Sequence, residues 1–312
     1  MNAPARQWAV ILGGSSGFGL ASAQKLAAQG LSVFIVHRDR RGAMPRIEAE
    51  FDRIRACGHG FVAVNADALD PAARAKCVEQ LEEALAGAKV RLLLHSIAFG
   101  NLKLLGAESP RNHSAVAALA SRLGIDEARL AAEVNGLFAD GYDTLGAVAT
   151  PPQYPSSSFL DEEDFARTVD SMGTSMLTWT RALLDRGLFA GDARVVGLTS
   201  EGNTVAWKGY AAVAAAKVVL ESLARSMALE FAPRGLRTNI VQAGVTDTPA
   251  MRAIPGSAHL AAQARLRNPF GRLTTPKDVA DAIWLLATDE AAWINGALLR
   301  VDGGEHVSGA PA

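Results

Sequence analysis

Apolar runs and helical patterns alternate along this chain, and a glycine-rich turn joins the first pair. The run Trp8–Leu12 ends at Gly13, and a helical pattern from Leu20 to Gln29 follows the turn. This order is the context that a dinucleotide pyrophosphate requires, because glycine lets the backbone approach the phosphates and the helix N-terminus presents free amides. A turn that is merely flexible is the alternative. The predicted cradle comprises Gly13, Ser15, Ser16, Gly17, Phe18 and Gly19.

Six further strands are predicted, and helical patterns separate most of them. They are expected at residues 32–36, 60–64, 90–94, 193–198, 236–241 and 297–301. Alternation of strands and helices is typical of a parallel sheet with helices on both faces. The sequence therefore predicts an α/β fold of the Rossmann type, with a doubly wound sheet of seven parallel strands in a single domain over residues 1–312. Ligands of such sheets bind beyond the carboxyl ends of the strands, so the segments there form the candidate site.

Composition excludes several classes of function. The chain has 312 residues, of which 49% are hydrophobic and 20% charged, with a formal net charge of -1. This balance predicts no affinity for nucleic acid or membranes, and no apolar run approaches the ~20 residues of a membrane span. Two cysteines without CxxC spacing and six scattered histidines predict neither a disulfide nor a metal site. The first strand begins almost at once, so no signal peptide is expected and a reducing cytoplasm is predicted.

Charged side chains follow the second strand, where doubly wound folds meet the adenosine ribose. An arginine there favours a 2′-phosphate, and a carboxylate favours a free hydroxyl. Arg38 therefore predicts NADP(H), while Asp39 leaves NAD(H) open and a solvated charged loop is the alternative. Asp67, after the third strand, is either an acceptor for the adenine amino group or a loop cap. The other candidate cofactor residues are Ala68, Ser96, Ile97, Ala98, Ala243, Gly244, Val245, Thr246 and Thr248.

Residues 101–159 interrupt the alternation of strands and helices. Helices are expected at 113–123 and 126–139, and the proline-rich run 150–158 cannot continue a helix. Because this connection is too long for a plain loop, we predict an insertion that forms a lid or a wall on the substrate side. A surface decoration or an oligomer contact is the alternative. A long helix is expected at 161–185, a mobile substrate loop at 249–272 and a further helix at 276–287.

Tyr210 and Lys217 stand in an alanine-rich run that predicts a helix to about Phe231. Their spacing puts both side chains on one helix face, with Cα atoms ~10 Å apart along the axis. A phenol and an ammonium on one face could do acid chemistry beside a bound cofactor. The alternative is a half-buried tyrosine and a surface lysine.

Together these motifs resemble the short-chain dehydrogenase/reductase family. The matching features are Gly13-x3-Gly17-x-Gly19, Ser200, the Tyr and Lys of one helix, Ala243-Gly244-x3-Thr248 and Val301-Asp302-Gly303-Gly304. Ordinary members carry Tyr-x3-Lys, whereas this chain has Val213 at that place and the spacing Tyr-x6-Lys. That spacing resembles the enoyl-acyl-carrier-protein reductase branch. The run His95–Phe99, Ser171 and Ala243 depart from ordinary members in the same direction, while the glycine turn keeps the ordinary pattern.

The resemblance implies a reaction and a role for each motif. Tyr210, Lys217 and Ser200 become the candidate catalytic residues, with Lys217 also binding the nicotinamide ribose; a turn serine is the alternative for Ser200. The expected reaction is NADPH-dependent reduction of the carbon–carbon double bond of an enoyl thioester, in fatty-acid or polyketide-type metabolism. The acyl group would be carried by acyl carrier protein or coenzyme A.

Two other functions remain as alternatives, and the resemblance also implies an assembly state. A carbonyl reductase or alcohol dehydrogenase, and a catalytically silent NADP-binding protein, are the alternatives to the enoyl reductase. Relatives are commonly tetramers packed through their long helices, so a homo-oligomer, either a tetramer or a dimer, is expected.

Overall fold

Seven strands form one parallel sheet in the computed structural model, which describes residues 7–108, 114–154 and 158–309. They are β1 (Gln7–Leu12), β2 (Ser32–His37), β3 (Phe61–Asn65), β4 (Lys89–His95), β5 (Phe189–Ser200), β6 (Leu236–Ala243) and β7 (Leu298–Val301). Their order across the sheet is β3-β2-β1-β4-β5-β6-β7, and every neighbouring pair is parallel. The chain reverses its direction of winding between β1 and β4, which opens a crevice at the carboxyl edge. The predicted fold class is confirmed.

Helices cover both faces of the sheet, and each face has its own apolar layer. The helices are α1 (Gly17–Ala28), α2 (Met44–Arg55), α3 (Pro71–Leu85), α4 (Ala115–Leu123), α5 (Glu127–Ala139), α6 (Glu162–Val169), α7 (Ser175–Asp185), α8 (Ala211–Glu230), α9 (Pro249–Arg252), α10 (Ser257–Arg267) and α11 (Pro276–Ala287). Successive side chains of β1 point to opposite faces. Val10 therefore joins the layer that contains Trp179, and Ile11 joins the layer that contains Phe51. Burial of both layers stabilises the sheet that carries the site.

The long helix predicted at 161–185 is interrupted. A π-helical turn, Asp170–Thr174, separates α6 from α7. Gly173 in this turn lies so close to α8 that a Cβ there would be 3.0 Å from Ala216 O. The predicted helix is therefore present over Glu162–Asp185, but with a π turn that apolar periodicity does not register. Extra residues in π turns are frequent at functional sites.

This segment has an extensive apolar surface, most of which packs inside the protein. Met176 and Trp179 are fully buried, and Met172 is nearly so. Phe165 remains exposed. Ordinary core packing therefore accounts for most of this surface, and it carries little information about assembly.

The two helices predicted in the insertion are present as α4 and α5. Residues 109–113 and 155–157, which include part of the predicted first helix and of the proline-rich run, lie outside the described residues. A serine caps α4 and an aspartate caps α5: Ser114 accepts from Ala117 N–H, and Asp126 accepts from Arg129 N–H. Within the described part of the chain, no helix is long and apolar enough to cross a membrane.

Residues 249–272, predicted as a mobile loop, are mostly helical. Thr248 accepts a hydrogen bond from Met251 N–H and so caps α9. Helix α10 then buries Ala261, Ala262 and Ala264 against the body of the protein. The prediction was wrong because glycine and proline at the ends of these short helices resemble loop composition. By contrast, α11 has the bounds predicted, with a capping box between Thr275 and Asp278.

Candidate active site

A cavity of about 970 Å³ lies at the carboxyl edge of the sheet. Residues after six of the strands, β1 to β6, line it. It brings together all the predicted site residues except Gly19. They are Gly13, Ser15, Ser16, Gly17, Phe18, Arg38, Asp67, Ala68, Ser96, Ile97, Ala98, Ser200, Tyr210, Lys217, Ala243, Gly244, Val245, Thr246 and Thr248.

The glycine-rich turn after β1 is packed against backbone. A Cβ on Gly19 would lie 2.1 Å from Gly13 O, and a Cβ on Gly13 would lie 2.6 Å from Ser96 O. Ser16 is the N-cap of α1 and makes no side-chain capping bond, so the first amides of the helix remain for another acceptor. A pyrophosphate fits this arrangement, because the glycines leave their backbone open to the ligand and the helix dipole favours an anion there. We call residues 13–19 the cofactor cradle.

The charged residues at the adenosine end are already paired with one another. Arg38 Nη1 lies 2.7 Å from Asp67 Oδ2, and the Arg38 guanidinium stands 4.4 Å from the centroid of the Phe99 ring. Asp39 instead lies 2.8 Å from His37 Nδ1. Burial raises the pKa of Asp67, but hydrogen bonds from Leu69 N–H and Arg38 outweigh it and hold that pKa below its usual value. A 2′-phosphate would therefore compete with Asp67 for Arg38.

Tyr210 precedes α8 rather than lying within it. Helix α8 begins at Ala211 and Tyr210 is its N-cap, because Gly209 has a φ of 70° that breaks the helical path. The carbonyl of Tyr210 still accepts the first helical hydrogen bond, from Ala214 N–H at 2.8 Å. The helix was thus predicted one residue too early. Its N-terminal position leaves the Tyr210 side chain free to reach the cavity.

The Tyr210 hydroxyl is held near a serine and against a glycine. Its Oη lies 3.4 Å from Ser200 Oγ, at the end of β5. The ring lies so close to Gly202 that a Cβ there would be 2.5 Å from Tyr210 Cε1. Burial raises the pKa of Tyr210, and the Ser200 hydrogen bond opposes this. The phenol is therefore protonated at neutral pH and able to donate.

Lys217 is buried, which excludes the alternative of a surface lysine. It is 6% exposed, and its Nζ donates to Leu198 O at 2.8 Å. Burial lowers its pKa to about 8, and the carboxylate of Glu221 opposes this. Below that pH the ammonium keeps its charge inside the cavity wall, where it can bind hydroxyls of a ribose.

The position four residues before Lys217 holds no proton donor. Val213 there is buried and lines the cavity. Near it, Ser171 donates to Phe99 O, and His95 Nε2 lies 2.7 Å from Ser175 Oγ. Burial, followed by the charge of Lys217, lowers the pKa of His95 to about 3, so this imidazole is neutral. Of the two positions, four and seven residues before Lys217, only the one seven before it carries an acidic proton, on the phenol of Tyr210.

The far side of the cavity is formed by the insertion and by α9 and α10. Gly146, Ala147, Ala149, Pro151, Pro152 and Tyr154 line it from the insertion, and Met251, Ile254, Leu260 and Gln263 from the helices. We call these two segments, residues 143–154 and 249–267, the outer wall. Arg265 pairs with both carboxylate oxygens of Asp143 at 2.6 Å. The ring of His259 lies 4.8 Å from that of Phe138. The insertion and α10 are therefore one packed unit.

A largely buried cluster of charges beside Ser200 was missed by sequence reasoning. Arg267 Nη2 lies 2.7 Å from Glu201 Oε1 and 3.2 Å from Glu305 Oε1. Glu305 Oε2 accepts from Val245 N–H at 3.2 Å. These residues come from four separate segments, so no local pattern announces them. A carboxylate directly after Ser200 was the one signal available.

This fold and site define a class of protein. A doubly wound parallel sheet with a glycine cradle at one end of a cavity, and a serine, a tyrosine and a buried lysine beside it, is that of a nicotinamide-dinucleotide oxidoreductase. Two family models agree: the one described as "short chain dehydrogenase" matches residues 7–119, and the one described as "Enoyl-(Acyl carrier protein) reductase" matches residues 143–306. The chain belongs to the short-chain dehydrogenase/reductase family, whose members use NAD(H) or NADP(H).

Two relatives that match nearly the whole length of this chain are named as dehydrogenases. The chain is 28% identical over 300 residues to cis-4-hydroxycyclohexanecarboxylate dehydrogenase of Sinomonas cyclohexanicum, covering 96% of each. It is 26% identical over 300 residues to 3beta-hydroxysteroid dehydrogenase 1 of Eggerthella lenta, covering 95% of this chain and 92% of the relative. The crystal structure of FabI from Candidatus Liberibacter asiaticus superposes with a TM-score of 0.72 at 16% identity, covering 98% and 97% of the two chains. That last likeness concerns the fold alone.

Proposed function

We propose that this protein reduces the carbon–carbon double bond of an enoyl thioester with NADPH. The observation that carries the proposal is the place of the phenol. Tyr210 stands seven residues before Lys217 with its hydroxyl beside Ser200, while Val213 occupies the nearer position. The donor is thus one helical step further from the lysine than in the ordinary Tyr-x3-Lys pattern.

The spacing matters because the two possible reactions develop charge in different places. Reduction of a carbonyl puts charge on an oxygen bonded to the carbon that is reduced. Reduction of an enoyl thioester adds hydride to the β-carbon, and charge develops on the thioester oxygen several bonds away. A hydrogen-bond donor is effective where the charge develops. One further helical turn displaces the donor by ~5 Å along the axis, which suits the more distant oxygen.

Each residue of the site has a distinct role in this proposal. A bound nicotinamide dinucleotide supplies the hydride. Lys217 binds hydroxyls of its ribose and keeps a positive charge near the site. Tyr210 donates a hydrogen bond to the thioester oxygen and stabilises the enolate of the substrate. Ser200 orients the Tyr210 hydroxyl or the substrate oxygen, at the 3.4 Å contact described above.

Arg38 supports NADP(H) as the cofactor. Its guanidinium follows β2 and is held beside Asp67 at the rim of the cavity. A 2′-phosphate offers a doubly charged acceptor for a guanidinium, which is stronger than one exposed carboxylate. Wild-type protein should therefore bind NADPH more tightly than NADH, and Arg38→Ala should lose that preference. Equal loss of affinity for both cofactors would contradict this choice.

The outer wall supports an acyl substrate. It presents apolar side chains such as Met251, Ile254 and Leu260 to the cavity, as an acyl chain requires. We infer a thioester of acyl carrier protein or coenzyme A from fatty-acid or polyketide-type metabolism, and a homo-oligomer in solution. Turnover of crotonyl thioesters on each carrier, and the mass of the native particle, test these two points separately.

Tyr210→Phe tests the main proposal. We expect turnover of a crotonyl thioester, followed by NADPH absorbance, to fall about 100- to 1000-fold, because one donor to the developing oxyanion is removed. The affinity for NADPH should not change. Tyr142→Phe is the matched control, since Tyr142 is exposed and lies outside the cavity. Unchanged turnover in Tyr210→Phe would remove this phenol from the mechanism.

A second candidate function is the oxidation of a ring alcohol or reduction of the matching ketone. The contact between Ser200 and Tyr210 supplies the serine and tyrosine that carbonyl chemistry uses, and the two full-length relatives above are named as dehydrogenases of hydroxylated rings. A panel of cyclic ketones, cyclic alcohols and enoyl thioesters separates the two. Turnover of the ketones alone favours this candidate, and tight NADPH binding without any turnover favours a catalytically silent protein.

A further inference from the structure

The cluster Glu201, Arg267 and Glu305 joins the outer wall to the loops that follow β5, β6 and β7. Glu201 follows Ser200 at the end of β5, and Arg267 is the last residue of α10 in the outer wall. Glu305 follows β7 and accepts a hydrogen bond from Val245 N–H, in the segment after β6 that lines the cavity. One guanidinium therefore links the catalytic loop, the outer wall and the loop predicted to contact the cofactor.

The two carboxylates of the cluster are buried, and they outnumber the one guanidinium, which is partly exposed. Glu201 is 7% exposed and Glu305 is 1% exposed, so two carboxylates share one guanidinium in a region of low dielectric. Glu201 Oε2 and Arg267 Nε are buried and have no hydrogen-bond partner among the described residues. A buried ionic cluster of this kind is a poor source of stability, because desolvation opposes the attraction. A role in positioning accounts for such a cluster better than a role in stability.

The charge of Glu305 depends on pH in the neutral range. Burial, followed by the charge of Glu201 and to a smaller extent that of Asp302, raises its pKa to about 7, against the opposing effects of Arg267 and Val245 N–H. These are the charged and polar groups that face it from β5, α10, β6 and β7. Above that pH the charge of Glu305 adds to those of Glu201 and Asp302 in attracting Arg267, and below it Glu305 no longer contributes.

We propose that Glu305 is a positioning residue, whose carboxylate holds the end of α10 through Arg267 and the cofactor loop through Val245 N–H. In its ionised form it fixes the outer wall to the loop that contacts the cofactor, so the substrate meets a preformed cavity. When Glu305 is neutral, Arg267 keeps its ion pair with Glu201 but loses the one with Glu305, so the end of α10 is held less firmly and the substrate must order it when it binds. The effect falls on the KM of the substrate, because Tyr210 and Lys217 are not displaced. This inference rests on the proposed function only for the choice of substrate.

Glu305→Gln tests the proposal, because glutamine keeps the size of the side chain and an acceptor for Val245 N–H but removes the charge. We expect the KM of wild-type protein for the enoyl thioester to rise about fivefold from pH 8 to pH 6, the scale of one hydrogen bond. In Glu305→Gln it should have the high value at both pH values, with kcat within about twofold of wild type. Glu290→Gln, on the surface, should keep the wild-type profile. A pH-dependent KM in Glu305→Gln equal to that of wild type, or a loss confined to kcat, would overturn the proposal.

Hydrogen exchange supplies a readout that does not need turnover. After correction for intrinsic rates, the amides of α10 should exchange faster at pH 6 than at pH 8 in wild-type protein, and equally fast at both in Glu305→Gln. Arg267→Lys keeps the charge but not the fork, and should raise exchange at both pH values. If exchange follows this pattern while no thioester is reduced, the proposed function fails and the positioning role stands. If thioesters are reduced and exchange in Glu305→Gln matches wild type, the positioning role fails alone.

Discussion

The cofactor cradle and the outer wall face the same cavity, but different forces hold them in place. The cradle depends on close contacts between backbone atoms. A Cβ added to Gly19, for example, would lie only 2.1 Å from Gly13 O. The outer wall depends on charged side chains far apart in the sequence, such as Asp143 with Arg265 and Glu201 with Arg267. Added volume should therefore damage the first region most, whereas loss of charge should affect only the second.

The two regions also differ in how far their residues can change among relatives. A cradle built around glycine backbone fits the one part of the ligand that all dinucleotides share, namely the pyrophosphate. A wall held by ion pairs can change its lining without disturbing the sheet, so relatives with the same fold can act on different substrates. Four substitutions test this contrast.

The largest effect is expected for Gly19→Ala. The added methyl group would displace the cradle, and we expect the dissociation constant for NADPH, measured by nucleotide fluorescence, to rise more than about 100-fold. Gly42→Ala is the matched control, because a Cβ on Gly42 meets nothing within 4 Å. Equal affinities in the two variants would show that the cradle is not rigid.

Gly202→Ala applies the same test of added volume to Tyr210, the proposed hydrogen-bond donor. A Cβ on Gly202 would push on the ring of Tyr210, so kcat should fall about 30-fold through misplacement of the phenol, with the affinity for NADPH unchanged. Gly191→Ala, within β5 and with nothing within 4 Å of the added Cβ, should behave as wild type. A fall in NADPH affinity without a change in kcat would place Gly202 with the cradle instead.

Asp143→Asn probes the outer wall. It breaks the paired contact with Arg265, and the KM of the substrate should rise about threefold as the insertion loosens from α10. Limited proteolysis should cut residues 143–154 faster, while NADPH affinity stays the same. Asp140→Asn, at an exposed position of the same insertion, is the control. A loss of cofactor affinity in Asp143→Asn would mean that the two regions are not independent.

The smallest effect concerns Lys217, which lies between the two regions. Burial lowers its pKa from 10.5 to about 8, so the folded protein carries a buried charge at a cost below pH 8. The unfolded chain keeps the proton up to pH 10.5, and the stability of wild type relative to Lys217→Met should therefore rise between these two values. The Tm of the wild-type apo protein minus that of apo Lys217→Met should therefore increase by several degrees from pH 8 to pH 10.5. The exposed Lys76→Met should show no such trend.

The sequence predicted the sheet well because most strands contain a short apolar run, and β1, β2 and β4 are almost wholly buried. The helix Pro276–Ala287 was predicted with its true bounds, since proline begins it and the apolar periodicity is clean. Failures occurred where tertiary contacts decide the local structure. The π turn at Asp170–Thr174 follows from close packing against α8, and the helical form of residues 249–267 follows from burial of their alanines.

The candidate site was predicted in its members but not in its pairings. Motifs identified Tyr210, Lys217 and Ser200, because one helix and one strand end carry them. The contact between Arg38 and Asp67, which the sequence had treated as two separate ligands of the cofactor, joins the ends of β2 and β3. Such pairings depend on side-chain geometry across the sheet, and no spacing along the chain encodes them.

The position of Glu305 has a consequence for how the protein is made. Its carboxylate reaches Val245 and Arg267, residues that leave the ribosome well before it does. A nascent chain can complete most of the sheet while the guanidinium of Arg267 still has only Glu201 to face. The outer wall therefore acquires its final set of contacts after translation has passed the last strand.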